Sequence, residues 1–176
     1  EPTNLRAAWA RVRDNRGCAG VDGVSIENFE MSLDDNLSHL SQELTEEAYH
    51  PLPLLKILVD KGNGESRALS IPTVRDRVAQ AAALNLLQPI FEAEFEESSF
   101  AYRRGRSVRQ AVLKVRQYYN QGYRWVLDAD IDAFFDSVPH DRLLSKVAQL
   151  ILDRRILRLL CHWVEAEVWD GQVVFR

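Results

Sequence analysis

Apolar positions along the first part of the chain recur at helical spacing. Leu5, Ala8, Trp9 and Val12 fall on one face of a segment from Asn4 to Asn15, which Gly17 and Gly20 end. A turn at Gly20-Val-Asp-Gly23 and a short segment Ser25–Phe29 lead to a second helical pattern over about 32–47. Its apolar stripe is Leu33, Leu37, Leu40 and Leu44. Pro51 and Pro53 break that period. Leu52–Asp60 then reads as a strand, Lys61–Glu65 as a tight turn around Asn63-Gly64, and Ser66–Ile71 as the return strand of a hairpin. Thr73 with Asp76 forms a capping-box pattern that opens a helix through Val78, Ala81, Ala82, Leu84 and Leu87, and Pro89 is predicted to kink or split it. Ser107 with Gln110 repeats the capping pattern, for a helix to about Asn120 closed by Gly122. An apolar run from Tyr123 then reads as a buried strand with an acidic end. Helices near 140–152 and 154–167 and a hairpin turn at Trp169–Gln172 complete the chain. Helices and strands alternate without a βαβ rhythm. The expectation is an α+β fold, with helices packed on small antiparallel sheets.

Size and composition narrow the class. At 176 residues, 46% apolar and 27% charged, the chain has the make-up of a globular protein able to bury a core. No apolar run approaches the roughly 20 residues that span a bilayer, and the N-terminal residues do not form a signal peptide. Cys18 and Cys161 lie far apart without metal-site spacing, which fits reduced thiols and an intracellular setting with no membrane partner. The net charge of −4 conceals a segregation. Between Arg16 and Lys56 there are acids and no Lys or Arg. Between Ser99 and Arg124 there are Arg103, Arg104, Arg106, Arg109, Lys114 and Arg116 and no acid. Such a block makes a local positive field, and arginine grips phosphate with a planar fork. A solvated charged face is the plainer alternative.

Chemistry concentrates in three places. Asp128, Asp130 and Asp132 alternate with apolar residues, so on a strand their carboxylates share one side. Hard oxygen donors gathered there suit Mg²⁺; an acidic strand end in solvent, as carboxylates often are, is the equal alternative. The hairpin tip carries Lys61 and its return strand Arg67, cations able to fold over a triphosphate or simply to decorate a turn. Ser99–Ser107 interleaves Phe100 and Tyr102 with Arg103, Arg104 and Arg106 ahead of a helix N-terminus, an arrangement that can hold a single strand. The histidines show no zinc spacing, and there is no Walker loop or nucleophile elbow.

Taken in order, these segments resemble the N-terminal part of reverse transcriptases of the group II intron and retron kind. Asn4–Gly17, Gly20-Val-Asp-Gly-Val-Ser25 and Phe29 resemble the family's N-terminal extension. Tyr49-His-Pro-Leu-Pro53, Gly64–Leu69 and Ile71–Gln80 resemble its first fingers block, Ser99–Ser107 the second, and Asp130-Ile-Asp-Ala-Phe-Phe-Asp136 the first catalytic block of the palm. The resemblance implies a right-hand polymerase with an N-terminal helical extension over 1–50, fingers over 51–122 and the first part of the palm over 123–176. It further implies RNA-directed DNA synthesis, in which a DNA or RNA primer on an RNA template is extended with deoxynucleoside triphosphates. Asp130 would be the first catalytic aspartate, holding two Mg²⁺ ions (or Mn²⁺) with the Ile131 carbonyl. The amides of Ala133 and Phe134 would meet the triphosphate, Phe135 would exclude a ribose 2′-hydroxyl, and Lys61 and Arg67 would clamp the phosphates. Arg103, Arg104, Arg106 and Arg109 would contact nucleic acid.

The family's second block commonly reads Ser-Tyr-Gly-Phe-Arg-Pro-Gly-Arg-Ser. Here Ala101, Tyr102 and Arg104 replace Gly, Phe and Pro, a pattern similar to reverse transcriptases associated with CRISPR adaptation. The family's aromatic-Ala-Asp-Asp turn is expected beyond Arg176, with the thumb after it, and this stretch by itself is expected to be inactive. Two rivals are a non-catalytic RNA-binding module built on the same fingers and a template-free nucleotidyl transferase of palm type.

Overall fold

The computed structural model describes residues 2–60, 62, 64–131, 133–172 and 174–175, the last two by backbone alone. Contacts divide the chain into two compact units, residues 1–86 together with 140–176, and residues 87–139.

The first unit is built on amphipathic helices. α1 (Pro2–Asp14) buries Leu5, Ala8, Trp9 and Val12, the stripe that its spacing predicts. α2 (Ile26–Met31) starts at Ser25, whose side chain accepts a hydrogen bond from the Asn28 amide and so satisfies one of the free amides of the first turn. It delivers Phe29 against Trp9, the rings stacked with centroids 5.2 Å apart. α3 (Leu33–Thr45) buries Leu37 and Leu40, with Leu33 and Leu44 at the margin of the same core. Gly20 permits a close approach. A Cβ there would lie 2.6 Å from the Thr73 Cα and 2.7 Å from its amide nitrogen, so the loop passes against the entry to α4 (Val74–Glu92). Val74, Val78, Ala79, Ala81 and Ala82 of α4 complete the core, whereas Leu84 of the same helix is exposed. Pro89 lies inside α4 and does not split it. The missing N–H ends one hydrogen bond, but the turns on either side keep the helix continuous.

The sheet has four strands in the order β2-β1-β3-β4. β1 (Leu54–Asp60) and β2 (Ser66–Ile71) form the expected antiparallel hairpin, in register from Leu55 opposite Ile71 to Asp60 opposite Ser66. β3 (Val168–Trp169) and β4 (Val174–Phe175) form a second antiparallel pair, in line with the turn read at Trp169–Gln172. The sheet is nevertheless not purely antiparallel. β3 runs parallel to β1, with Leu54 opposite Val168 and Leu55 opposite Trp169, and the Leu54 amide donates to the Glu167 carbonyl at 2.7 Å. Parallel pairing needs a long crossover connection rather than a local turn, so no short sequence signal announces it. α7 (His140–Val147) and α8 (Arg154–Val164) precede β3, and α8 packs Leu159 and Trp163 on the core.

Where these elements meet lies a buried polar network that periodicity does not reveal. Asp76 is 1% exposed. One carboxylate oxygen accepts from the Tyr49 hydroxyl at 2.8 Å, the other from the Thr73 hydroxyl at 2.8 Å and the Leu52 amide at 3.1 Å. Thr73 caps α4 in turn, accepting from the Asp76 amide. The Trp163 indole donates to the Tyr49 oxygen at 3.0 Å, and Arg75 pairs with Glu43 while its guanidinium lies 5.0 Å over the Tyr49 ring. The acid expected to serve a helix cap thus also fastens the segment before β1 and, through Tyr49, α8. Burial above all, with the Asp76 charge next, pushes the Tyr49 hydroxyl well above its ordinary range.

The second unit holds the end of α4, the arginine-rich loop, α5 (Val108–Asn120) and the acidic segment. Ser107 caps α5 as its spacing predicts, its side chain accepting from the Gln110 amide at 3.3 Å. Residues 124–131, read as a buried strand, belong to no strand, and Trp125, Val126 and Leu127 are exposed. Among the described residues nothing pairs with them. A strand needs a ladder partner, so an apolar run alone does not make one.

Candidate functional site

The arginine-rich loop is the most defined part of the second unit. Arg103 is enclosed, its side chain 6% exposed. Its Nε and Nη2 donate to Glu92 Oε1 at 3.0 and 2.7 Å, and Nη1 donates to the carbonyls of Glu96 at 2.7 Å and Ser99 at 2.9 Å. The guanidinium also lies 5.2 Å over the Phe95 ring. Arg103, expected on the path of template or nucleotide, is therefore held inside the protein by an acid and two carbonyls. Arg104 and Arg109 are exposed, and Arg106 is half-buried with its guanidinium 5.7 Å over Phe100. Tyr102 is fully in the open, and its backbone adopts a left-handed conformation with φ 57°. Farther along, Arg124 lies 4.3 Å over the Tyr119 ring and Lys114 lies 5.3 Å over Tyr118. Cations and aromatic faces that alternate in this way suit both phosphates and bases.

In the acidic segment Asp128 and Asp130 are exposed, and Asp130 accepts from the Ile131 amide at 2.9 Å. Asp132, the third carboxylate of the expected trio, lies outside the described residues. Ala133 adopts φ 45° ahead of the single turn α6 (Phe134–Ser137), which sets Phe134 and Phe135 edge to face, centroids 5.3 Å apart. Phe135 is largely exposed. In the first unit, Arg67 is exposed on β2 opposite Val59. Lys61, its expected companion, lies outside the described residues.

The donor types fit a hard divalent cation, since Asp130 and Ile131 offer a carboxylate and a carbonyl. Among the described residues no three acidic, histidine or cysteine side chains converge. The spacing of aspartates marked the segment, and the charge block marked the loop. Neither pointed to Glu92 as the partner of Arg103, because an ion pair across a helix end and a loop leaves no periodic trace.

A family model described as reverse transcriptase (RNA-dependent DNA polymerase) matches residues 59–174, from the end of β1 through the arginine-rich loop and the acidic segment to β4. The chain belongs to the reverse transcriptase family. Among its relatives, Protein YkfC of Escherichia coli is 37% identical over 151 residues, 84% of this chain and 40% of YkfC. The group II intron-encoded protein LtrA of Lactococcus lactis is 27% identical over 166 residues, covering 94% of this chain and 27% of LtrA. In both cases this chain spans less than half of the relative's length. A chain of a solved structure titled Partial Cas6-RT-Cas1--Cas2 complex shares the fold, with a TM-score of 0.63 over 99% of this chain and 28% of that one, at 22% identity. No described helix is long and apolar enough to cross a membrane.

Proposed function

We propose that this chain forms the helical extension (1–50), fingers (51–122) and first part of the palm (123–176) of an RNA-directed DNA polymerase, the second pair of carboxylates and the thumb coming from a continuation of the same protein. The observation that carries the reading is the family match over 59–174, a span that includes Arg67, the arginine-rich loop and Asp130. In this reading the Asp130 carboxylate and the Ile131 carbonyl hold Mg²⁺, which when bound neutralises and polarises the reacting phosphate. Asp130 is exposed and anchored to its own backbone, so the carboxylate is open to a cation. Lys61 and Arg67 meet the incoming triphosphate, the amides of Ala133 and Phe134 orient it, and the exposed ring of Phe135 stands against a ribose 2′-hydroxyl. Arg104, Arg106 and Arg109 meet the phosphates of template and primer. Positioning of primer and nucleotide, rather than covalent participation by the protein, supplies most of the remaining catalysis.

Primer extension tests this. The full-length product of the gene should extend a primer on an RNA template with deoxynucleotides. Asp130→Asn should abolish extension without loss of RNA binding, and Phe135→Ala should admit ribonucleotides. The 176-residue chain alone should bind RNA in a strongly salt-dependent way and extend nothing. Full extension by Asp130→Asn would sink the catalytic reading. Full-length protein that binds RNA without extending a primer, with Asp130→Asn indistinguishable from it, would favour the RNA-binding module.

A further inference from the structure

Arg103, Arg104, Arg106 and Arg109 are close in sequence but not equivalent in structure. A guanidinium that recognises phosphate does so through a pair of parallel N–H groups on one edge of its plane. Arg104 and Arg109 are exposed to solvent, whereas the Nε, Nη1 and Nη2 groups of Arg103 all donate inside the protein, to Glu92 and to the carbonyls of Glu96 and Ser99. We propose that Arg103 is a positioning residue, whose fork, locked between Glu92 and the two carbonyls, fixes the loop that presents Arg104 and Arg106 to a nucleic-acid backbone.

Two features transmit that placement. The Arg103 carbonyl accepts from the Arg106 amide at 3.2 Å, so holding Arg103 fixes the turn that carries Arg106. Tyr102, immediately before it, adopts φ 57° with its side chain in solvent. A non-glycine residue is strained in that conformation, and no packing of its own ring offsets this. The restraint comes from the neighbouring guanidinium, bonded to Glu92 near the end of α4 and to the Glu96 and Ser99 carbonyls ahead of it. Lysine would keep the charge at this position but could not span Glu92 and two carbonyls with one rigid plane.

The inference rests on the loop being a nucleic-acid contact, and the test separates the two claims. Binding of a fluorescein-labelled oligouridylate RNA to the 176-residue chain is measured by anisotropy across a salt series for Arg103→Lys, Glu92→Gln, Arg104→Ala and Arg106→Ala. Hydrogen exchange of 99–106 is followed in the same variants without RNA. Glu92→Gln is decisive because it removes a negative charge beside the arginines. If the loop acted through its field alone, that change would tighten binding. Positioning requires the opposite, namely that Glu92→Gln and Arg103→Lys both weaken binding, speed exchange across the loop and lower the salt slope by about 2, since two phosphate contacts go together. Arg104→Ala and Arg106→Ala should each lower the slope by about 1 and leave exchange unchanged. Tighter or unchanged binding by Glu92→Gln, with Arg104→Ala weakened, overturns the positioning role alone. Unchanged binding by both Arg104→Ala and Arg106→Ala overturns the contact itself, and the inference with it.

Discussion

Replacing Tyr49 by phenylalanine removes one oxygen from the centre of the first unit and leaves its packing almost intact. The ring keeps its edge contact with Trp163, centroids 6.3 Å apart, and stays beneath the Arg75 guanidinium. Lost are the 2.8 Å hydrogen bond to the Asp76 carboxylate and the 3.0 Å bond received from the Trp163 indole. A hydrogen bond to a charged group contributes about 1.5–3 kcal/mol and a neutral one about 0.5–1.5, so the substitution should destabilise by roughly 2–4 kcal/mol. The upper part of that range is favoured because Asp76 is buried and is left with one donor fewer. Urea unfolding followed by circular dichroism gives the number directly, and an unchanged slope would show that the native state is still compact. Trp163→Phe removes only the second bond, and a double-mutant cycle of the two apportions them. The pH dependence supplies an independent check. Tyr49 has a folded pKa raised above the ordinary tyrosine value of about 10, so its contribution is complete below that pH and is lost as pH rises through the folded value. Tyr49→Phe should therefore show a shallower alkaline loss of stability than the wild type. A destabilisation below about 0.5 kcal/mol, with parallel alkaline limbs, would refute the view that this hydroxyl ties Asp76 to α8.

Other positions give sharper, smaller tests. Gly20→Ala should destabilise by about 1–3 kcal/mol, because its Cβ meets the backbone of Thr73 rather than a side chain that can move, and the loss is read from urea midpoints. Gly23→Ala, at φ +70° with nothing within 4 Å, should lose only conformational strain, about 1 kcal/mol, so the reverse order would count against the close approach. Ser25→Ala should cost about 1 kcal/mol by freeing the Asn28 amide, an effect that Ser25→Asp should rescue. Asp153 caps α8, and hydrogen bonds from the Arg155 side chain and amide hold its pKa down to about 2. Its contribution is present above the unfolded value near 3.8 and disappears as pH falls toward 2, so NMR titration of its carboxyl carbon should give a midpoint well below that ordinary aspartate value.

The parts of this fold that could be read from the chain are those in which neighbouring residues decide the outcome. The stripes of α1 and α3, the hairpin register around Asn63-Gly64 and the caps at Ser25 and Ser107 depend on residues a few positions apart. The segment from Tyr123 was misread as a strand because its composition is strand-like while pairing is a property of a neighbour. The site was legible as residue types in order, in the aspartates and the arginine block. Which arginine faces solvent was not, because Glu92 and the carbonyls of Glu96 and Ser99 meet Arg103 only once the end of α4 and the loop have formed. Asp76 was legible as a cap and not as the junction of Tyr49, Thr73 and Leu52.

The parallel pairing of β1 with β3 has a consequence for the order of events on the ribosome. Residues 1–86 leave the ribosome early with Tyr49, Asp76 and the whole β1–β2 hairpin, yet the neighbour of Leu54 is Val168 and the donor to Tyr49 is Trp163. Residues 87–139, a compact unit of their own, are synthesised in between. The nascent chain must therefore carry an open edge on β1 and an uncapped Tyr49 oxygen while that insert is made. Closing such a distant pair is entropically slow. Until α8 and β3 emerge, the exposed edge of β1 is a place where a chaperone, or another nascent chain, can pair.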